Sequence, residues 1–323
     1  MFSISLIFFP FDKAIFLFSL KKNTMTNYDI IGDIHGHADE LEILLQKLGY
    51  QKLNGVYRHP SRQAIFLGDF IDRGPNIRGV LHIVKDMVDA GFAQAIMGNH
   101  EFNAVCFATK IKIGGGYFRE HSVEKIKQHL KTLEQFRLFP KEWDMFLTWF
   151  KHLPMFLELD HCKMVHAYWN DKHIAWLKKN YHPTEEGLSH EFLANCYQKE
   201  LPGFKPVEET LKGPEHKLPE GQYMVDKEGI LREECRLRWW AIEKKTMGQG
   251  VMECPEALVD DPMPDGVDLS VFTSDKPVFF GHYWLNGIPK IVNEHAICLD
   301  YSVAKGGKLV AARITDGKIS LIY

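Results

Sequence analysis

Five short polar clusters carry the chemistry this chain can do, and each directly follows an apolar run. They are Gly32-Asp33-Ile34-His35-Gly36, Gly68-Asp69-Phe70-Ile71-Asp72-Arg73-Gly74, Gly98-Asn99-His100-Glu101, His166 after Met164-Val165, and Gly281-His282 after Val278-Phe279-Phe280. Carboxylate, imidazole and amide oxygen without thiolate suit divalent manganese, iron or zinc, not a structural cysteine site. Asp33 and His35 stand two apart, so on a persisting strand they face the same way and can share one ion, while Gly36 lets the backbone turn sharply. Asp69, directly after a strand and a glycine, is the candidate to bridge two ions through its two oxygens. Two ions ~3.5–4 Å apart activate water near neutral pH and clamp the attacking and leaving oxygens of an in-line displacement. That is how a site for phosphoester hydrolysis is built. Arg73 adds a planar fork of donors for phosphate oxygens, His100 can give a proton to a leaving alkoxide, and Asp72 can orient its ring. Taken singly, a histidine is more often a satisfied core or surface residue, and an Asp-Arg pair an ordinary surface ion pair. Three contiguous motifs in this order, each at a strand end, reverse that reading.

The elements that must hold these clusters alternate. Tyr28–Ile31 reads as a strand, and Leu41, Leu44, Leu45 and Leu48 then fall at helical spacing up to Gly49. Ala64–Leu67 is the next strand, Leu81, Val84 and Val88 mark a helix closed by Gly91, and Ala93–Met97 is a third strand. Three strand–helix units predict an α/β fold with crossover connections, and in such folds functional groups gather beyond the carboxyl ends of the strands. Trp143, Phe146, Leu147 and Phe150 make an amphipathic stripe within residues 142–153, read as a core face. Residues 170–275 are richer in Pro, Gly and charge, with weak helices near Lys172–Lys179 and Ser189–Lys199, and read as an inserted cap. Strand patterns return at Pro277–Phe280, Ala296–Leu299, Lys308–Ile314 and Lys318–Ile322, as if to finish the sheet.

At 323 residues the chain has length for one large domain or two modest ones. Its 45% apolar and 25% charged content excludes collagenous, disordered and multi-span membrane classes. A net charge of -3 gives no global pull toward nucleic acid or anionic lipid, so phosphate recognition must be local, with no extended nucleic-acid surface. The six cysteines lie far apart and never as C-x-x-C, which predicts buried reduced thiols. Residues 1–24 are apolar and Phe-rich but interrupted by Pro10, Asp12 and Lys13; they make neither a membrane span nor a good signal peptide. They are expected to be a disordered or non-native extension before a domain over 25–323, in a cytoplasmic protein.

The first three clusters resemble the signatures of the calcineurin-like metallophosphoesterases, and more narrowly the phosphoprotein phosphatase branch. That branch holds Ser/Thr protein phosphatases, bacterial symmetrical dinucleoside tetraphosphatases and the phosphatase module of RNA-repair enzymes. The resemblance implies a sandwich of two mixed sheets flanked by helices. It implies that Asp33, His35 and Asp69 hold one ion and that Asp69, Asn99, His166 and His282 hold the other, with manganese the first choice and iron or zinc possible. It further implies that Arg73 binds the scissile phosphate beside Asn99, that His100 is the general acid and that Asp72 is its partner. A cap of this family tends to supply a second phosphate-binding arginine, for which Arg236 and Arg238 are the candidates; a basic edge beside core tryptophans reads equally well. Met97 before the Gly-Asn-His-Glu motif, and Ala167-Tyr168 after His166, depart from the protein-phosphatase pattern, and the alanine is closer to the tetraphosphatase one. Trp169, Trp239, Trp240 and Trp284 could stack on a base, although tryptophans at a cap interface more often simply pack. The expected substrate is therefore a nucleotide-type phosphate, a dinucleoside polyphosphate or polynucleotide phosphate. A phosphoprotein is the alternative, and a catalytically silent nucleotide-binding module the reading from another class.

Overall fold

The structure, a computed structural model, describes residues 27–112, 114–225 and 231–323. The N-terminal extension expected over 1–24 lies outside them. Two sheets face each other. In the first, the strands run β11 (Lys318–Ile322), β10 (Ala311–Thr315), β1 (Tyr28–Ile31), β2 (Gln63–Phe66), β3 (Ala93–Ala95). Strands β1 to β3 are parallel, whereas β10 meets β1 antiparallel with Asp29 opposite Arg313. The second sheet runs β9 (Ala296–Cys298), β8 (Val278–Phe280), β5 (Lys163–Val165), β4 (Phe156–Glu158), with only β4 antiparallel to its neighbour.

The period of two along these strands builds the layers. Ile30, Ile65, Met164, Phe279 and Ile297 point inward and share one buried cluster between the sheets. Their neighbours Ile31, Phe66, Val165, Val278 and Phe280 point outward into a second, larger core. That core is covered by helices α1 (Ala38–Lys47), α2 (Ile77–Asp89), α3 (Asn99–Ala108), α4 (Val123–Phe136) and α5 (Pro140–Phe150). The stripe of Phe146, Leu147 and Phe150 is indeed core. This is the mixed two-sheet sandwich flanked by helices that the resemblance implied.

The region 170–275 divides. Helices α6 (Asp171–Asn180), α7 (His190–Tyr197) and α8 (Phe204–Lys212) pack Ile174, Leu193 and Val207 into the main core. Beyond Gly213, a separate small cluster of Leu218, Met224, Cys235, Met247, Val251 and Met263 holds two strands, β6 (Glu215–Lys217) and β7 (Glu234–Arg236), and little other regular structure. Among the described residues the six cysteines are unpaired, five of them buried.

The sequence pattern placed most strands within two residues but joined β10 to Lys308–Leu309, which instead pairs with Asp300–Tyr301. It also passed over the whole of α4 and α8.

Candidate active site

The loops that leave β1, β2, β3, β5 and β8 at their carboxyl ends converge on one point. Close approach of the two sheets makes this possible, since a Cβ at Gly32 would strike the Leu299 carbonyl and one at Gly281 would overlap Asp33 Oδ1. Backbone conformation is bent to the same end. Of ten non-glycine residues with positive φ among the described residues, five are His35, Asp69, Asp72, Arg73 and His282. Each left-handed residue costs about 1–2 kcal/mol, a strain that persists only where surrounding structure fixes it.

Asp69 lies at the centre. Its Oδ2 is 3.4 Å from His35 Nε2 and its Oδ1 3.4 Å from His166 Nε2. On one side, His35, Asp69 and His100 present ligand atoms mutually within 4.8 Å; on the other, Asp69, His166 and His282 do the same. Asn99 joins the second group, its Oδ1 lying 3.0 Å from His166 Nε2 and 2.9 Å from His282 Nδ1. Asp33 joins through its Oδ2, which accepts the His282 backbone N–H at 2.9 Å. The rings are fixed from behind: His35 Nδ1 donates to the Ile71 carbonyl at 2.9 Å and His166 Nδ1 to the Leu67 carbonyl at 2.7 Å. That leaves each Nε2 aimed inward.

These residues fit a pair of divalent cations. Asp33 Oδ1, His35 Nε2 and His282 Nε2 are buried with no hydrogen-bond partner, an arrangement that is costly unless something else satisfies them. The charge balance agrees. Burial would raise the Asp69 carboxyl, but His166, His100 and His35 outweigh it and hold it well below its usual range. Burial, with Arg73, pushes His35 down, and burial with Arg236 does the same to His282, favouring neutral imidazoles that can ligate. His166 goes the other way: burial alone would lower it, but Asp69 and Asp33 push it up to about 10. Asp33 is pushed well above the usual carboxylate range by burial and by nearby Asp300, so its ionised form calls for a cation beside it.

Beside the clusters, His100 Nδ1 meets Asp72 Oδ2 at 2.5 Å and Arg73 Nη2 lies 3.3 Å from His100 Nε2. The Arg73 guanidinium is 4.5 Å from the Trp284 ring centre. Of the two cap arginines, Arg236 donates to Glu215 Oε1 at 3.1 Å, keeps its Nε buried without a partner and lies close enough to depress His282. Arg238 instead donates to Met252 Sδ and the Gly248 carbonyl. Trp169, Trp239 and Trp240 are buried, the first two with their indole N–H bonded to Asp171 and the Ala167 carbonyl.

Three residues escaped the sequence reading, and a fourth, Glu101, was named there without a role. Glu101 is fully buried and accepts the backbone N–H groups of Asp69, Phe70 and Gly98, tying α3 to the loop after β2. Asp300 is also buried and accepts from the Trp284 and Ser302 N–H groups. His129 and Thr132 of α4 complete the surroundings of Asp72. Glu101 had a signal, standing two after Asn99 in a motif already singled out; the other three had none.

A family model described as calcineurin-like phosphoesterase matches residues 27–231, more than half of the chain. The bis(5'-nucleosyl)-tetraphosphatase PrpE [asymmetrical] of Oceanobacillus iheyensis is 35% identical over 146 residues, 43% of this chain and 54% of that protein. The protein of the same name from Bacillus subtilis is 46% identical over 74 residues, 23% of this chain and 30% of its own. The chain thus covers about half the length, or less, of these curated relatives. A solved cold-active protein tyrosine phosphatase shares the fold at a TM-score of 0.50 and 14% identity, over 91% of this chain and 75% of that one.

Proposed function

On the footing that this chain belongs to the calcineurin-like phosphoesterases, as a hydrolase with buried metal-binding His/Asp groups, we propose that it hydrolyses the polyphosphate chain of a dinucleoside tetraphosphate. The observation that carries the reading is Asp69 lying 3.4 Å from both His35 and His166, a carboxylate shared by two ligand clusters. The relatives named above favour the substrate class.

In this reading Asp33, His35 and Asp69 hold one divalent cation, and Asp69, Asn99, His166 and His282 the other. When bound, the ions activate water and neutralise charge developing on the phosphoryl oxygens. Manganese is the first ion to try. The remaining work falls to side chains. Arg73, braced on Trp284, presents its fork to the non-bridging oxygens beside Asn99. His100 gives its proton to the departing oxygen, and Asp72 stabilises the imidazolium that does so. Burial would raise Asp72, but hydrogen bonds from His100 and His129 hold its carboxyl below the ordinary range, so it stays an anion. Arg236, whose Nε is unpartnered, takes a second phosphate in this reading, and the segment around the small cluster of Leu218 and Met247 acts as the cap.

The test is turnover of diadenosine tetraphosphate, p-nitrophenyl phosphate and a phosphopeptide by manganese-loaded protein. A preference for the first is expected. Turnover of the phosphopeptide alone would make this a protein phosphatase. Tight binding of the dinucleotide with no turnover of any would leave a silent binding module. Among the described residues no helix is long and apolar enough to cross a membrane.

A further inference from the structure

Asp72 is held by more than its bond to His100. Its Oδ1 receives a second imidazole, His129 Nδ1 at 2.8 Å, and the Thr132 hydroxyl at 2.6 Å. The Thr132 Oγ1 in turn accepts the Asp72 backbone N–H at 3.0 Å. A carboxylate can only accept, so His129 Nδ1 carries the proton in that bond. All three groups are out of water: Asp72 is 3% exposed, His129 6% and Thr132 0%.

One turn further along the same face, Gln135 closes on the chain beyond Asp72. Its Oε1 accepts the Ile77 N–H at 2.7 Å and its Nε2 donates to the Gly74 carbonyl at 3.1 Å. Residues 129, 132 and 135 are spaced by three, so they form one stripe of α4. The loop they grip contains the left-handed pair Asp72 and Arg73, at φ +66° and +68°. A strained loop of this kind keeps its shape only if bound on several sides.

We propose that His129 and Thr132 are positioning residues for the proton-donating imidazole: through Asp72 they fix the aim of His100, and with Gln135 they hold Arg73 in its left-handed seat. Neither touches the substrate. The inference rests on His100 being the general acid. Outer partners of metal-ligating histidines typically matter about 10–100-fold in affinity or activity, and the same range is expected for this proton-donating one.

Proton donation matters most when the leaving oxygen is basic, so the experiment compares phenyl phosphate with p-nitrophenyl phosphate in the metal-loaded full chain. His129→Ala should cut kcat/KM for phenyl phosphate about 10–100-fold while p-nitrophenyl phosphate falls only about threefold. His129→Asn, whose amide nitrogen can take the Nδ1 position, should recover most of the loss, with urea midpoints near wild type. Equal falls on both substrates, or no fall, overturn the inference. If His129→Ala does not fold, Thr132→Ser against Thr132→Val is read the same way, because serine keeps the hydroxyl and valine only the shape. His100→Asn is the reference. If it shows no leaving-group dependence, the assignment of His100 itself fails; if it shows one that His129→Ala lacks, only the role of α4 fails.

Discussion

The sandwich and the cap solve opposite problems. Around Asp69, the His35 and His166 rings and the Asp69 and Phe70 amides are held from behind by backbone carbonyls or the buried Glu101 carboxylate, on loops leaving strands that are buried on both faces. Over 214–225 and 231–272 a six-residue core carries short strands, and Arg236 on one of them is 30% exposed with its Nε unpartnered. The contrast teaches that residues needing sub-ångström placement sit against the large shared cores, while the arginine proposed to select among substrates stands on a small separate one.

The sharpest way to break that comparison is at its centre. Asp69→Asn should lower kcat/KM at least about 10³-fold and lower bound metal, with circular dichroism unchanged. Removing metal with a chelator should abolish turnover and readdition restore it; activity that survives chelation would sink the cation reading. On stability the two regions should separate: Phe280→Ala in the sandwich should cost about 3–5 kcal/mol in urea unfolding, and Met247→Ala in the cap nearer 2. If the cap variant costs more, the cap is not the weaker unit. The acid limb follows from Asp72. Because its folded carboxyl lies below the unfolded value near 4, its contribution of about 2 kcal/mol is fully present above that value and lost as pH falls through the folded one. Urea midpoints of wild type and Asp72→Asn should therefore keep their separation from neutral pH down to about pH 4 and converge only as the pH falls below it. The smallest effect is in the cap. Arg236→Ala should raise KM for diadenosine tetraphosphate about tenfold and leave p-nitrophenyl phosphate nearly untouched, whereas Arg238→Ala should change neither beyond about twofold.

Legibility followed the same boundary. The strands β1, β2, β3 and β8 could be read because short, mostly apolar runs end abruptly in Gly-Asp, Gly-Asn or Gly-His, and those ends are the site. The stretch of α4 could not, since its buried face is built of His129, Thr132 and Phe136 and lacks a run of leucines. Asp300 was hidden for a related reason: it ends no motif, and its importance comes from two backbone N–H groups brought to it by the fold. Over 231–272, Arg236 and Arg238 are alternately spaced and chemically alike, so only the fold separates one whose charge reaches His282 from one half-buried against Met252.

The order of strands also bears on how the protein is made. Because β1 lies between β2 and β10, it must wait for a strand some 280 positions later in the chain before its second edge is paired. Until then the nascent chain carries an open hydrogen-bonding edge and an uncovered apolar face, the kind of surface that calls for chaperone protection.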